Sequence, residues 1–236
     1  MRQVIRIGLL LLIGQTGWAG GVVDDSVKAS ARFEHLAQQV GLRDLRLKPA
    51  EYQVRIWINE SLTYGDADEL YVIDKKETGL FLSHYALQWR QNTIKKARRL
   101  VHKQVADTLV WQQLLADDLL TLPDQSLLKD NINPKPNPRD TTVRVSVHSD
   151  SGVTIRAKKT EPRAIMSDGV NYRFDIVSAN TRRSYTYHCP VGYAGVKPRV
   201  VELQKVVSLL KRIFTLFDTP TSSLCAVDIP QTRVTV

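Results

Sequence analysis

The chain lacks the short motifs that define the common catalytic and cofactor sites. It contains no G-x-G-x-x-G or G-x-x-x-x-G-K-[ST] phosphate loop and no G-x-S-x-G nucleophile elbow. Its five histidines show no H-E-x-x-H spacing. The run His148-Ser149-Asp150 groups hydrolase residue types, but neighbours on a tight turn rarely orient as nucleophile and base. We therefore predict no cofactor, no metal site and no catalytic residue.

A calcium loop is also missing, although acidic residues cluster at Asp66, Asp68 and Glu69. An EF-hand loop beginning at Asp66 needs a small oxygen ligand at position five and glycine at position six. Those positions hold Leu70 and Tyr71. The cluster therefore predicts an acidic turn between two strands.

Apolar runs long enough to span a membrane, about 20 residues, are absent after the N-terminal segment. In that segment Arg2 and Arg6 flank the start of the apolar run Ile5 to Ile13, which leads into Gly17-Trp18-Ala19. A basic start, a short apolar stretch and small residues at −3 and −1 are typical of a secretory signal peptide. We expect residues 1–19 to be cleaved and the remainder to be periplasmic or secreted; the alternatives are a buried strand or an uncleaved anchor.

Acidic residues are in the minority, since 33 Lys and Arg oppose 24 Asp and Glu and give a formal net charge of +9. Loss of Arg2 and Arg6 with the signal peptide lowers this charge to about +7. Such a balance favours attraction to anionic envelope components, lipid headgroups or nucleic acid, although it also fits a merely solvated basic surface.

Cysteine is scarce, and Cys189 and Cys225 are the two that are present. In an exported protein we expect them to form a disulfide, closing a loop of about 36 residues worth roughly 3.8 kcal/mol in the chain-entropy estimate. The rival interpretation makes Cys189 a nucleophile with His188 as its base. Adjacent residues on a strand point to opposite faces, so we disfavour it.

Proline marks the most plausible boundary in the chain. Pro134, Pro136 and Pro138 lie in an extended stretch that can neither continue a helix nor join a central strand. We divide the chain into a signal peptide (1–19), a helix-strands-helix half (20–122), a connector (123–139) and a strands-helix half with the disulfide (140–236). Whether the halves share one sheet remains open at this point.

The first half begins with a helix capped by Asp24-Asp25-Ser26 and ended by Gly41. Its apolar residues are Phe33, Leu36, Ala37 and Val40. Alternating or apolar runs then predict strands at Tyr52 to Ile58, Leu70 to Asp74 and Leu80 to Trp89. A long amphipathic helix is predicted from about Thr93 to Leu120, with Ile94, Ala97, Val101, Val105 and Leu109 on one face.

Two hairpins and one helix are predicted in the second half. The strands of the hairpins are Thr141 to His148 with Val153 to Lys158, and Asn171 to Val177 with Tyr185 to Cys189. The helix begins near Pro198 and has the clearest apolar stripe of the chain, Leu203, Val206, Val207, Leu210, Ile213, Phe214 and Phe217. The fold class is therefore α+β, with antiparallel sheet in both halves, each followed by a long helix, and an additional N-terminal helix.

Two candidate binding surfaces emerge, one basic and one that mixes basic and aromatic residues. Their residues are Lys95, Lys96, Arg98, Arg99 and Lys103 in the first, and Arg182, Arg183 and Tyr185 in the second. The second could bind an anionic or carbohydrate ligand, but tyrosines on an alternating strand more often belong to the core.

The leading functional hypothesis is an exported, non-enzymatic binding protein that uses a basic surface. Its partner would be a protein or an anionic envelope component, whereas nucleic acid is not expected. The alternative is a hydrolase of an envelope polymer whose carboxylates converge only in the fold. A deep cleft with two close carboxylates, or with histidine beside Asp or Glu, would favour that alternative.

Overall fold

The computed structural model describes residues 25–42, 46–60, 66–91, 93–105, 108–135, 144–148, 152–156, 163–167 and 169–221. The predicted signal peptide and Cys225 lie outside these residues. In chain order the elements are α1 (Asp25–Gln39), β1 (Tyr52–Glu60), β2 (Glu69–Lys76), β3 (Gly79–Arg90), β4 (Thr93–Val105), α2 (Thr108–Ala116), a 3₁₀ turn (Gln125–Leu128), α3 (Lys129–Ile132), β5 (Arg144–His148), β6 (Gly152–Arg156), β7 (Val170–Ser178), β8 (Arg182–His188), α4 (Pro190–Val196) and α5 (Val201–Leu216). The class is α+β, as the sequence predicts.

Six strands form one antiparallel sheet in the order β4-β3-β2-β1-β7-β8, and β5 pairs with β6 in a separate hairpin. The two halves of the chain meet where β1 pairs with β7, from Tyr52 opposite Ser178 to Glu60 opposite Val170. Both halves therefore contribute to one sheet. Within the predicted connector, the 3₁₀ turn and α3 place Leu128 and Ile132 in the core.

Helices cover both faces of this sheet. On one face, α2, α4 and α5 pack on an apolar layer that includes Val54, Ile56, Tyr71 and Phe174. We call this the α5 face. Every residue of the stripe predicted for the C-terminal helix is buried there, and Phe217 directly follows the end of α5.

The opposite face, here called the α1 face, carries the N-terminal helix. Leu36 and Ala37 of α1 pack on Trp57, Leu70 and Val72 of the sheet. Gly41 adopts a φ of 86°, the left-handed backbone that ends a helix at low cost only for glycine. The predicted N-terminal helix and its end are thus confirmed.

The helix predicted over Thr93 to Leu120 is wrong for its first half. Thr93–Val105 is strand β4, and a helix forms only at Thr108–Ala116. The apparent helical stripe arises because β4 is bulged and contacts both faces of the sheet. Ile94 and Ala97 pack on the α1 face, whereas Val101 and Val105 pack on the α5 face.

Candidate functional site

Strand β8 forms one edge of the sheet, and side chains cover its outer main chain. The Thr186 N–H donates to Asp124 Oδ2 (2.8 Å), and the His188 N–H donates to Gln125 Oε1 (2.6 Å). Burial acts to raise the pKa of Asp124, but hydrogen bonds from Ser126 and Thr186 outweigh it and lower the pKa. An ionised Asp124 therefore remains an acceptor along this edge at neutral pH.

Arg183, one of the predicted binding residues, extends this covering. Its guanidinium donates to the carbonyl oxygens of Leu120, Thr121 and Leu122 and lies 5.5 Å from the centre of the Tyr185 ring. Tyr185 is 1% exposed and donates its hydroxyl proton to the Leu119 carbonyl oxygen (2.7 Å). The core interpretation of Tyr185 is thus confirmed, and Arg183 holds the segment beside β8.

Arg182, the third predicted residue of this group, lines a cleft of about 580 Å³ between α1 and strands β7 and β8. Its guanidinium forms an ion pair with Glu34 Oε2 at 3.0 Å, and the buried Arg55 pairs with the same oxygen at 2.9 Å. Arg173 donates to Asp175 at 2.9 Å. The charges that line this α1 cleft are therefore largely engaged in internal pairs.

A cluster that the sequence did not reveal lies on the α5 face. Tyr71 Oη donates to Glu69 Oε2 (2.7 Å), and His84 Nε2 lies 3.2 Å from that oxygen. The Tyr71 ring stacks on His84 with a centroid distance of 4.0 Å. A hydrogen bond from His84 is the largest cause of the lowered pKa of Glu69, with burial opposing it and Tyr71 adding to it.

The cluster has the groups of a proton relay, but it lies outside the α1 cleft and outside a second cleft of about 570 Å³ beside His188. Burial raises the pKa of Tyr71 above its ordinary value, so its phenol stays protonated and donates to Glu69. The sequence places Tyr71 and His84 on two separate predicted strands and gives no sign that they meet. The pairing of β2 with β3 brings them opposite each other.

The acidic turn keeps its predicted place beside β2 and makes internal contacts. Asp66 pairs with Arg32 at 2.6 Å, and Asp68 Oδ2 accepts a hydrogen bond from the Glu60 N–H. Among the residues that the structure describes, no group of three or more His, Cys, Asp or Glu side chains could hold a metal ion. No described helix is long and apolar enough to cross a membrane.

Cys189 is fully buried between the end of β8 and the start of α4. Its predicted disulfide partner, Cys225, lies outside the described residues, so the pairing stays a prediction. A methyl group added at Gly192 would come within 2.9 Å of the Cys189 sulfur, so α4 packs closely against this side chain.

Strand β4 forms the other edge of the sheet, and its main chain has no strand beyond it among the described residues. It carries five basic residues and no acidic one. Lys103 is half-buried and pairs with Asp218 at 2.6 Å. The other four are exposed, and their side chains form no hydrogen bond or ion pair with another described residue: Lys95, Lys96, Arg98 and Arg99.

The four exposed cations of β4 are distributed over both faces of the sheet. Arg98 lies opposite Ala86 and Lys96 opposite Gln88, on the α5 face. Arg99 lies opposite Tyr85, which packs on the α1 face. The register shifts by one residue at Lys95 and again at Leu100, which marks two bulges. The structure therefore brings Lys95, Lys96, Arg98 and Arg99 together along one edge.

The two candidate surfaces lie on opposite edges of the sheet and differ in kind. At β8 the predicted residues are buried or paired, whereas at β4 four of the five are exposed. No protein family, no curated protein and no solved structure matches this chain.

Proposed function

We propose that this protein is an exported, non-enzymatic binding protein that holds an acidic segment of a partner protein on the β4 edge. The observation that carries the proposal is the contrast between the edges. Side chains cover β8 at Thr186 and His188, whereas among the described residues the main chain of β4 meets a side chain only at Ile94, whose N–H donates to Gln39, and β4 carries four exposed cations. An uncovered edge strand is a template for association, and charged side chains and bulges such as those of β4 restrict which partners it accepts. The cations select an acidic partner by charge complementarity.

A second copy of the chain is a poor occupant for this edge. Two β4 strands placed side by side would bring Lys and Arg residues of both copies close together. Like charges directly opposite each other destabilise a strand pair. The charge that disfavours a second copy favours a segment rich in Asp and Glu.

Export is proposed from the N-terminal sequence alone. A charged replacement of Leu9 to Leu12 should block delivery to the periplasm or medium, because it removes the apolar stretch that an export channel recognises. Cell fractionation with mass measurement of the mature N-terminus tests this expectation. Unchanged delivery of the altered chain, or recovery of the wild-type chain from the cytosol with Met1 attached, would refute it.

The hydrolase alternative receives less support. His84 lies beside Glu69, but outside both clefts. Glu34 and Asp175 line the α1 cleft, yet each accepts a contact from arginine. Both carboxylates are therefore engaged in ion pairs within the chain.

Binding of a fluorescein-labelled, Glu-rich extended peptide, followed by fluorescence anisotropy, tests the proposed function. The variant K95E/K96E/R98E/R99E should bind the peptide more weakly. Exposed ion pairs contribute about 0.2–1 kcal/mol each, so four of them give about 1–4 kcal/mol, a factor of about 5 to 800 in affinity. Raising the salt concentration from about 20 to about 150 mM should weaken wild-type binding because these contacts are screened.

A matched variant separates this edge from the overall charge. Four other exposed basic residues belong to parts of the chain other than β4: Lys129, Lys135, Arg199 and Lys211. Changing all four to Glu alters the net charge by the same amount. We expect this control to lose much less affinity than the β4 variant. Equal losses would mean that net charge alone attracts the peptide and would overturn the proposal.

A further inference from the structure

We propose that the acidic segment binds to β4 as a seventh strand of the sheet, held by main-chain hydrogen bonds as well as by charge. This inference rests on the proposed function and specifies the binding mode. Extended peptides commonly add to an uncovered sheet edge in this way, with main-chain bonds giving affinity and side chains giving specificity.

The length of β4 favours strand addition. Its 13 residues span about 43 Å at the usual rise per residue, more than twice the length of a common strand. Among the described residues, no strand pairs with its outer edge. Within the described part of the chain, the one side-chain contact to the β4 main chain is the hydrogen bond from the Ile94 N–H to Gln39 Oε1 (3.0 Å), which leaves the donors and acceptors of residues 96–99 on that side to an extended segment.

The bulges determine where a regular pairing can form. A bulge leaves its additional residue outside the ladder and disrupts pairing locally. Between the bulges at Lys95 and Leu100 lies a regular stretch of β4, residues 96–99. That stretch carries three of the four exposed cations, so we place the centre of the added strand beside it.

The distribution of cations specifies the sequence of the segment. Alternate residues of an added strand point to opposite faces of the sheet. Acids two positions apart would meet Lys96 and Arg98 on the α5 face. An acid next to the one opposite Arg98, on the side away from Lys96, would meet Arg99 on the α1 face. Opposite side chains of neighbouring strands lie about 4.5–5.5 Å apart at Cβ, within reach of an ion pair. The segment should therefore carry consecutive Asp or Glu residues.

Leu100 adds an apolar contact to this pattern. It is 44% exposed, directly follows Arg99 in the chain, and lies at the second bulge. A side chain that is apolar and exposed on a charged edge gains from being covered. We expect the acidic run of the segment to be bordered by an apolar residue on the side that approaches Leu100.

N-methylated peptides separate strand addition from simple charge attraction. In a strand, every second N–H points to the same edge, so N-methylation of alternate residues blocks one edge and leaves all the charges in place. One set of alternate positions should lower affinity for the full mature chain at least tenfold, whereas the other set should change it less than twofold. A complex held by charge alone would respond equally to both sets.

The outcomes distinguish the inference from the proposed function. Tight binding of the acidic peptide with equal tolerance of both N-methylated forms would overturn strand addition and leave the proposed function standing. Failure of the unmodified acidic peptide to bind wild-type protein above the level of K95E/K96E/R98E/R99E would overturn both.

Amide hydrogen exchange provides a second measurement on the protein itself. Binding should slow exchange of amides within residues 93–105 that are unprotected without peptide, and it should leave the amides of β8 unchanged. Slowed exchange at β8 with none at β4 would place the peptide on the other edge and refute the inference.

Discussion

Glu34 on α1 should be far more important for stability than an ordinary surface carboxylate. Its Oε2 atom accepts a hydrogen bond from Arg55 at 2.9 Å and forms an ion pair with Arg182 at 3.0 Å. The Arg55 side chain is 2% exposed, whereas that of Arg182 is 54% exposed. Removing Glu34 therefore leaves one guanidinium buried without its carboxylate and the other free to turn to solvent.

The magnitude follows from this difference in exposure. Breaking a buried ion pair by removing one partner costs about 3–5 kcal/mol. We take the lower end, about 3 kcal/mol, because the Glu34 side chain is 24% exposed and Arg55 keeps its 2.6 Å hydrogen bond to Gln53 Oε1. Glu34→Ala should then reduce the folding equilibrium constant by a factor of about 150.

Arg182→Ala is the matched control, because it removes the exposed partner of the same carboxylate. Its expected cost is about 0–1 kcal/mol. The double variant Glu34→Ala with Arg55→Met should regain most of the stability lost on removing Glu34, since it removes the buried charge and keeps an apolar side chain of similar length. Urea unfolding followed by circular dichroism gives all four free energies of unfolding.

The result that would refute this reasoning is a Glu34→Ala variant no less stable than Arg182→Ala. The same conclusion would follow if adding Arg55→Met to Glu34→Ala lowered the free energy of unfolding further instead of restoring it. Either result would mean that water compensates Arg55 and that α1 is held by apolar packing alone.

Three further predictions follow from the core, the covered edge and the Glu69 cluster. Leu210→Ala should lower the free energy of unfolding by about 2–5 kcal/mol, because Leu210 is fully buried. Its control is Val201→Ala, which should change the free energy of unfolding by less than about 0.5 kcal/mol because Val201 is 59% exposed. Arg183→Met should cost about 1–3 kcal/mol and speed amide exchange in β8, because it leaves three carbonyl groups without their charged donor. The ionised Glu69 should stabilise the fold above pH 4.5, and this contribution should be lost as the pH falls through its lowered folded-state pKa. The free energy of unfolding of Glu69→Gln, measured at neutral and acidic pH, should therefore depend less on acid than that of wild type. Equal dependence would contradict this.

Local patterns predicted most of the strands correctly because both the alternation and the turns are short-range signals. Tyr52 to Ile58 has an alternating pattern that places Val54 and Ile56 on the α5 face, as observed in β1. The pairing of β1 with β7 could not be predicted, since it joins residues more than 100 positions apart and no local signal specifies it. For the same reason, the question of one sheet or two stayed open in the sequence.

The mistaken helix has a specific physical cause. Ile94 and Ala97 are three residues apart on one face because the bulge at Lys95 adds a residue between them. Val101 and Val105 are four residues apart and contact the other face. Spacings of three and four are the signature of a helix, so a bulged strand that contacts two cores imitates that pattern.

The charge of this run is the signal that would have corrected the interpretation, because it restricts where a strand can lie. A central strand of a sheet covered on both faces must bury its side chains, and burying an unpaired cation costs several kcal/mol. Between positions 95 and 99, four of five residues are cations and only Ala97 is apolar, so this run could not be buried on both faces as a central strand requires. If the run is a strand, it therefore has to be an edge, and an uncovered basic edge is the feature on which the binding proposal depends.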